Sequence, residues 1–583
     1  MPRGGDAMTA TSHNTAHRPA IAVTRHAIAA GHYLAATAGF DILQAGGNAV
    51  DAGVAAGIAL GVVQSDLVNV AGVAPILIYL ADKREVVTIA GLGPWPKALD
   101  PEFFMREHGG KIPIGVLRTV VPAAPDAWIT ALKRYGTMSF SEVASPATRL
   151  ARDGFPMYPL MAASLQKHAE RHAMWPSSAA VYLPGGKVPK SGDIFRQTEL
   201  GASLQYMADE EKAASSRGRE AGLDAARDAF YRGDIAKKIV AFMKEQGGLL
   251  SAEDLAEYRS PVGPAERRRF GDLDVFTCGA WCQGPVLLQT LALLEGTNLK
   301  ALGQNSADYV HRLTEALKLA FADREAYYTD PAVGQVPLPT LISPEYAAER
   351  RKLIDPLKAW PEMPPPGDVG AGVGFGSLRE SKPNPFPEPD TSYVCVADRW
   401  GNLFSATPSD GSYGSPVVPG AGVIPSSRGS QSRPDPKHPA GVAPGKRPRL
   451  TPNPALAIRG NGAQFFPFGT PGGDVQTQAM LQVLLNVFVH GQDVQSAIEN
   501  PRFASYSYPS SFAPYDYYPG RLSIEGRFPE EVMSELAQRG HKVERWPDWV
   551  WLAGAVCAIL SDKKRGVMEA GADPRRAAYA LGW

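Results

Sequence analysis

Cysteine is scarce: four residues, Cys278, Cys282, Cys395 and Cys557, in a chain of 583. So few thiols over such a length exclude a disulfide framework. The one close pair, Cys278 and Cys282, has no second cluster with which to hold a structural zinc, so the four read as buried or idle thiols. An excess of either charge is also missing. Lys+Arg and Asp+Glu both number 59, which leaves no global field for nucleic acid or an anionic membrane surface. The opening MPRGGDAMTATSHNTAHRPA lacks the apolar core of a secretory signal, and its absence points to the cytoplasm. The most apolar region, 49–81, is interrupted by Gln64, Ser65, Asp66 and Asn69. It falls short of the roughly 20 apolar residues of a membrane span, and a buried helix followed by a strand is expected instead.

Familiar catalytic signatures are lacking too. There is no GxSxG elbow and no HExxH zinc helix. His168 and His172 stand four apart in HAERH, but Glu170 is not where a zinc hydrolase needs its base, so the segment reads as a solvated helix face. GAGVGFG (370–376) lies in a proline-rich stretch rather than between a strand and a helix, and APGKRP (443–448) lacks P-loop spacing. No cofactor and no metal is implied.

What remains is an ordinary globular composition, 44% apolar and 20% charged, long enough for several cores or one large layered body. Residues 37–63 read as two helices parted by Gly46 and Gly47, the second starting at an Asn48–Asp51 cap. VAPILIYLA and EVVTIAG read as paired strands. Residues 140–248 are mostly helical, Phe270–Cys278 returns to a strand, and Val310, Leu313, Ala316, Leu317, Ala320 and Phe321 recur at the spacing of an amphipathic helix. Residues 356–390 then hold nine prolines and five glycines, the composition of an exposed linker open to chain breakage. TSYVCVADRWGNLFSAT follows as two strands turning at Asp398–Asn402, then ALAIRG and NGAQFFPFG as another pair, then the helix VQTQAMLQVLLNVFVHG. Strand pairs alternating with helices imply stacked sheet and helix layers.

The junction Asp390–Thr391 carries the chemistry. A linker feeds a hydroxyl residue at the start of an apolar strand. If the bond before Thr391 breaks, hydroxyl and α-amine lie on one residue. An α-amine titrates near pH 8, which makes it a base able to activate a weak hydroxyl nucleophile.

Several runs, in order, resemble the γ-glutamyltranspeptidase family: 38–63, 135–156 and 311–331, then DTS…VADRWGN (390–402), GTPGGDVQTQ (469–478), NPRF (500–503) and GADPRR (571–576). The resemblance implies an α+β N-terminal-nucleophile hydrolase, a four-layer αββα sandwich assembled from two fragments of one self-cleaving precursor. It implies a disordered start (1–20), a large-subunit body (21–355), a flexible linker (356–390) ending at the cleavage site Asp390–Thr391, and a small catalytic subunit (391–583), with 21–583 forming one body. The fragments would form a heterodimer, whose further pairing stays open. Thr391 would be the nucleophile, Ser409 the second hydroxyl that tunes it, and the backbone amides of Gly472 and Gly473 the oxyanion hole. The implied partner is a small-molecule amide, with neither nucleic acid nor membrane.

The substrate half departs from the family pattern. Where the family has an arginine for a glutamyl α-carboxylate, this chain reads AGLGPWP (90–96). KRPRLTP offers only Thr451 of a serine pair, and VIPSSRGSQSR (423–433) has no carboxylate for an α-amino group. An expected asparagine is Gly411, with Asp410 beside it. Arg428, with Arg433 and Arg449 as further candidates, supplies a new anion site, and a tyrosine-rich loop (506–518) a pocket rim. A zwitterionic glutamyl head needs charge-assisted hydrogen bonds of about 1.5–3 kcal/mol each, so a different acyl group is expected. The leading expectation is an amidohydrolase or acyltransferase on a small amide. Alternatives are a true γ-glutamyl hydrolase or transferase, an oxamate-type amidohydrolase or β-lactam side-chain acylase, and a non-catalytic binding homologue.

Overall fold

The computed structural model describes residues 16–370, 378–382 and 390–583; most of the expected disordered start, most of GAGVGFG and much of the linker lie outside them. Two seven-stranded sheets form the centre. One runs Ile21–Val23, Val567–Ala572, Cys557–Asp562, Gln464–Gly469, Ala455–Arg459, Leu273–Thr277, Glu266–Phe270. The other runs Tyr579–Gly582, Ala27–Ala30, Val394–Ala397, Leu403–Ala406, Ile76–Leu80, Glu85–Ile89, Val262–Pro264. Every pairing within them is antiparallel.

The layering follows from the two-residue period of a strand. Ala27, Ala29, Tyr393, Cys395 and Ala397 point toward the other sheet, where they meet Leu456, Cys557 and Ile559. Ile28, Ala30, Val394 and Val396 point outward into the core beneath Tyr33–Gln44 and Ala49–Val63. Gly284–Leu294, Ala307–Tyr327 and Gln476–Phe488 cover the far side of the first sheet. The result is the expected αββα sandwich. Strands buried on both faces explain apolar runs such as Ile76–Leu80, which show no alternation.

Helix Ala49–Val63 is buried on all sides, which is why it is rich in alanine and glycine. A Cβ on Gly53 would lie 2.1 Å from the Phe404 ring, and one on Gly57 2.6 Å from Trp128. Asn48 and Asp51 close the expected capping box, each side chain taking the other's backbone N–H.

Some expectations change. Phe270–Cys278 is half of a hairpin, Glu266–Phe270 with Leu273–Thr277. The helix expected to be amphipathic, Ala307–Tyr327, is buried on nearly every face, with Glu315, Lys318, Asp323, Arg324 and Glu325 inside the protein. His168 and His172 are buried rather than solvated, stacked on Tyr413 and Tyr182 with ring centres 4.3 and 4.5 Å apart. The first part of the linker is tied down: Trp360 N donates to Glu315, Met363 N to Tyr517 Oη and Gly367 N to Asp323. All four cysteines are buried and free.

Candidate functional site

Strands Val394–Ala397 and Leu403–Ala406 form the hairpin that builds the site. Val394 pairs with Ala406. One residue outward on each strand per step, that register sets Thr391 opposite Ser409. The backbone confirms the path: Ser392 N donates to Pro408 O, and Ser409 N to Val73 O. Thr391 Oγ1 and Ser409 Oγ lie 2.6 Å apart, both fully buried.

The direction of that bond follows from counting. Ser409 Oγ donates to Asp390 Oδ1 at 3.0 Å and accepts from Arg428 Nη2. A hydroxyl has one proton and two lone pairs, so its remaining role is to accept from Thr391. The Thr391 oxygen thereby keeps its own lone pairs for an electrophile. Its backbone N donates to Leu67 O at 3.1 Å, and Arg576 Nη1 reaches its carbonyl at 3.4 Å. Thr391 sits at φ +72°, a left-handed conformation that a β-branched residue adopts only under strain, about 1–3 kcal/mol for such outliers. Breaking the preceding peptide bond removes that constraint.

Asp390 is paired with Arg428: Nη2 donates to Oδ1 at 2.7 Å, and Nη1 lies 2.7 Å from Oδ2 as an ion contact. Arg428 begins a short turn whose approach is clamped by Asp410, itself at φ +114°. The Asp410 carboxylate takes Ser426 Oγ at 2.6 Å and Ser427 Oγ at 2.7 Å. Its oxygens are thus committed to the loop, with Arg428 Nε 3.7 Å away. Burial opposes the charge on Arg428, but Asp390 and Asp410 outweigh it and raise its pKa. Burial likewise raises the Asp410 carboxyl, against the pull of Arg428.

Gly472 and Gly473, at φ +127° and +56°, occupy backbone conformations that favour glycine. They open the short turn that leads into helix Gln476–Phe488. Among the described residues neither N–H has a hydrogen-bond acceptor. From behind, Gln283 Nε2 donates to Gly473 O at 2.8 Å. Asp474 accepts from Arg324 Nη1 at 2.5 Å and from Ser511 Oγ at 2.7 Å.

Asp390, Arg428, Gly472 and Gly473 line one cavity of about 430 Å³. Arg118, Arg171 and Arg576 also line it, and Tyr506, Tyr518, Trp546 and Trp551 form an aromatic side. Three expected rim tyrosines, Tyr506, Tyr508 and Tyr518, line the cavity, whereas Tyr517 is turned inward to Met363. Thr451 does not line the cavity: it is fully buried, its hydroxyl accepting from Gln431 at 2.8 Å. Arg433 and Arg449 are consumed by the buried Glu325, at 2.9 and 2.5 Å. In the AGLGPWP segment, Trp95 donates to Ser432 Oγ at 2.9 Å and fills the space left by the missing Cβ of Gly429.

Sequence reasoning missed Arg576, Gln283, Arg324 and Asp474 as parts of the site. For Arg576, Arg324 and Asp474 the only signal was membership in GADPRR, HRLTEALKLAFADREAYYTDP and GTPGGDVQTQ; Gln283, in AWCQGP, carried none. His311, Glu315 and His541 bring potential metal-binding atoms within 4.8 Å of one another. However, Lys318 Nζ already pairs with Glu315 at 2.7 Å and the two imidazoles share a 2.8 Å hydrogen bond. A buried ammonium beside them opposes a second cation.

An αββα sandwich with a hydroxyl residue at the start of an inner-sheet strand defines the class of N-terminal-nucleophile hydrolases. The family model for gamma-glutamyltranspeptidase matches residues 35–583, and the chain belongs to that family. It is similar to the acylase ACY 1 proenzyme of Pseudomonas sp. (strain SE83), 34% identical over 551 residues that cover 92% of this chain and 90% of the relative. It is also similar to the oxamate amidohydrolase proenzyme of Klebsiella pneumoniae, 29% identical over 574 residues, 96% and 99% of the two chains. The crystal structure of cephalosporin acylase from Bacillus halodurans superposes with a TM-score of 0.83 at 28% identity, covering 100% of this chain and 99% of that one.

Proposed function

We propose that the protein cleaves itself between Asp390 and Thr391 and then acts as an N-terminal-threonine amidohydrolase or acyltransferase on a small amide with an anionic acyl group. The observation that carries this reading is the 2.6 Å contact of Thr391 Oγ1 with Ser409 Oγ, next to the Asp390 peptide. In self-cleavage, Thr391 Oγ–H adds to the Asp390 carbonyl carbon. The C–N bond breaks, the proton passes to the released nitrogen, and water opens the ester. Fragments 1–390 and 391–583 result and stay together as a heterodimer, through a hydrogen-bonded sheet that draws strands from both.

In turnover the new α-amine of Thr391 takes the hydroxyl proton and hands it to the leaving amine. The N–H groups of Gly472 and Gly473 receive the oxyanion, a role in which loss of one donor costs about 3–4 kcal/mol of barrier. Water or an acceptor amine then takes the acyl group. Arg428 argues for an anionic acyl group and against a γ-glutamyl head. It places a positive charge where the family pattern calls for an acidic partner to an ammonium.

Denaturing electrophoresis and intact mass of the purified protein test this reading. Two fragments are expected, the smaller starting at Thr391, with Thr391→Ala remaining one chain. A wild type that stays intact and inert overturns it.

A further inference from the structure

Arg428 is not an empty anion seat in the uncleaved chain. The carboxylate it holds belongs to the residue whose carbonyl Thr391 must attack first. We infer that the Asp390 side chain is a built-in stand-in for the substrate's own carboxylate. On this inference the mature site takes half-amides of short dicarboxylic acids with the aspartyl spacing, two carbons between amide carbonyl and carboxylate, the succinyl class. The inference rests on Thr391 as nucleophile and goes beyond it by naming the acyl group.

Three observations support it. First, in the proposed self-cleavage Asp390 is the first acyl group to be bonded to Thr391 Oγ, and its carboxylate already lies on Arg428, with a 2.7 Å hydrogen bond from Nη2 to Oδ1 and Nη1 2.7 Å from Oδ2. A substrate acyl group bonded to the same oxygen meets the same guanidinium across the same spacing. Second, the reach is short. Arg428 Nη2 donates to Ser409 Oγ, which is itself 2.6 Å from Thr391 Oγ1. A single hydroxyl therefore separates nucleophile from cation, and a long acyl chain would carry its carboxylate past Arg428. Third, cleavage turns Asp390 into a free chain end that can leave the guanidinium. Arg428 is 2% exposed, and its other acidic neighbour, Asp410, is engaged by Ser426 and Ser427. Without Asp390 the buried guanidinium keeps only the Asp410 carboxylate, 3.7 Å from Nε, and no hydrogen-bonded carboxylate at its terminal nitrogens; such loss of a buried partner is costly, so the emptied site favours an incoming carboxylate.

The amine half of the substrate extends into the rest of the cavity, along Tyr506, Tyr518, Trp546 and Trp551. Chemically, Thr391 Oγ–H adds to the acyl carbon, its proton reaches the departing nitrogen by way of the α-amine, and the C–N bond breaks. Water then opens the ester, restoring Oγ–H and releasing the free dicarboxylic acid.

The test uses the fully processed wild-type enzyme and the 4-nitroanilides of malonic, succinic and glutaric half-acids, with the butyryl anilide as the uncharged match to succinyl. The succinyl compound is expected to lead, with kcat/KM at least ~10-fold above butyryl, the size of a charge-assisted hydrogen bond, and above both other half-acids. A glutaryl or malonyl compound in the lead overturns the spacing. Equal rates for butyryl and succinyl overturn the anion seat while leaving the amidohydrolase reading standing. Failure to cleave any amide, γ-glutamyl anilide included, removes both. A second readout needs no turnover: free succinate should raise the Tm of the processed enzyme but not that of uncleaved Thr391→Ala, whose Arg428 is still occupied by Asp390. An equal rise in both, or no rise in either, refutes the stand-in.

Discussion

Arg324 Nη1 lies 2.5 Å from Asp474 Oδ1, joining the long buried helix Ala307–Tyr327 to the residue that follows Gly473. The guanidinium is wholly buried, and its Nη2 donates to Glu325 and to the carbonyl of Pro509. It therefore sets where the Gly472–Gly473 amides point without itself lining the cavity. Misplacing a catalytic group by about 1 Å can cost on the order of 100-fold in rate. Asp474→Ala is expected to lower kcat by about that factor with little change in KM, read by steady-state kinetics on processed enzyme. A KM-only effect would show that the contact serves binding instead.

Ser409 is the acceptor that orients Thr391. Ser409→Ala removes it and leaves the Arg428–Asp390 pair in place. Self-cleavage is expected to slow by about 10–100-fold, the worth of hydrogen bonds to charged groups, and Ser409→Thr should restore much of it. The fraction cleaved against time on a denaturing gel reports both. Unchanged cleavage in the alanine variant would remove Ser409 from the mechanism.

Asp66 precedes the Leu67 carbonyl that receives Thr391 N. Burial pushes its carboxyl up to about 6, opposed by hydrogen bonds from its own backbone, Ser164 and Tyr158. Between pH 4 and 6 the unfolded chain loses this proton while the folded chain keeps it, so the group's contribution to stability falls as pH rises and is flat above 6. The shift from 3.8 corresponds to a cost on the order of 3 kcal/mol at neutral pH. Asp66→Asn should gain stability relative to wild type from pH 4 to 6 in urea titrations. A difference constant with pH contradicts this.

His32 works in the opposite sense. Its Nδ1 accepts from Leu34 N and caps helix Tyr33–Gln44, which requires a neutral ring. Burial lowers it to about 3. Above the ordinary value of 6.5 its contribution is fully present, and it is lost as pH falls toward the folded value because the unfolded chain takes up the proton first. Asn is a strong helix cap that does not titrate. His32→Asn should therefore flatten the acid limb of the urea stability profile by on the order of 2–3 kcal/mol between pH 6.5 and 4.5. An unaltered limb would place the acid sensitivity in other groups, such as His541.

Much of this fold is written in local pattern. The Asn48–Asp51 cap, the Ile76–Leu80 and Glu85–Ile89 pair, the hairpin through Asp398–Asn402 and helix Gln476–Phe488 all lie where composition and periodicity put them, because each is stabilised by contacts a few residues apart. The histidines of HAERH, expected on a solvated face, and the charged residues of Ala307–Tyr327, expected as an amphipathic helix, are buried for the converse reason. Polarity predicts exposure only when no distant partner offers compensation, and Lys318, Glu325 and His172 have such partners.

The sequence by itself determined the junction at which reactivity is proposed. A hydroxyl residue after a proline-rich segment and before a buried strand, with a hairpin of that length, is a local arrangement, and the register of the hairpin alone sets Thr391 against Ser409. Only the tertiary structure decided what surrounds it. Arg428 stands 38 residues from the Asp390 it holds, Asp474 is 150 residues from Arg324, and Arg576 is 185 from Thr391. Such pairings carry no short-range signature, since a guanidinium finds its carboxylate through the packing of whole layers. That packing set Arg428 against Asp390 at the cavity wall and removed Arg433 and Arg449 into the grasp of Glu325.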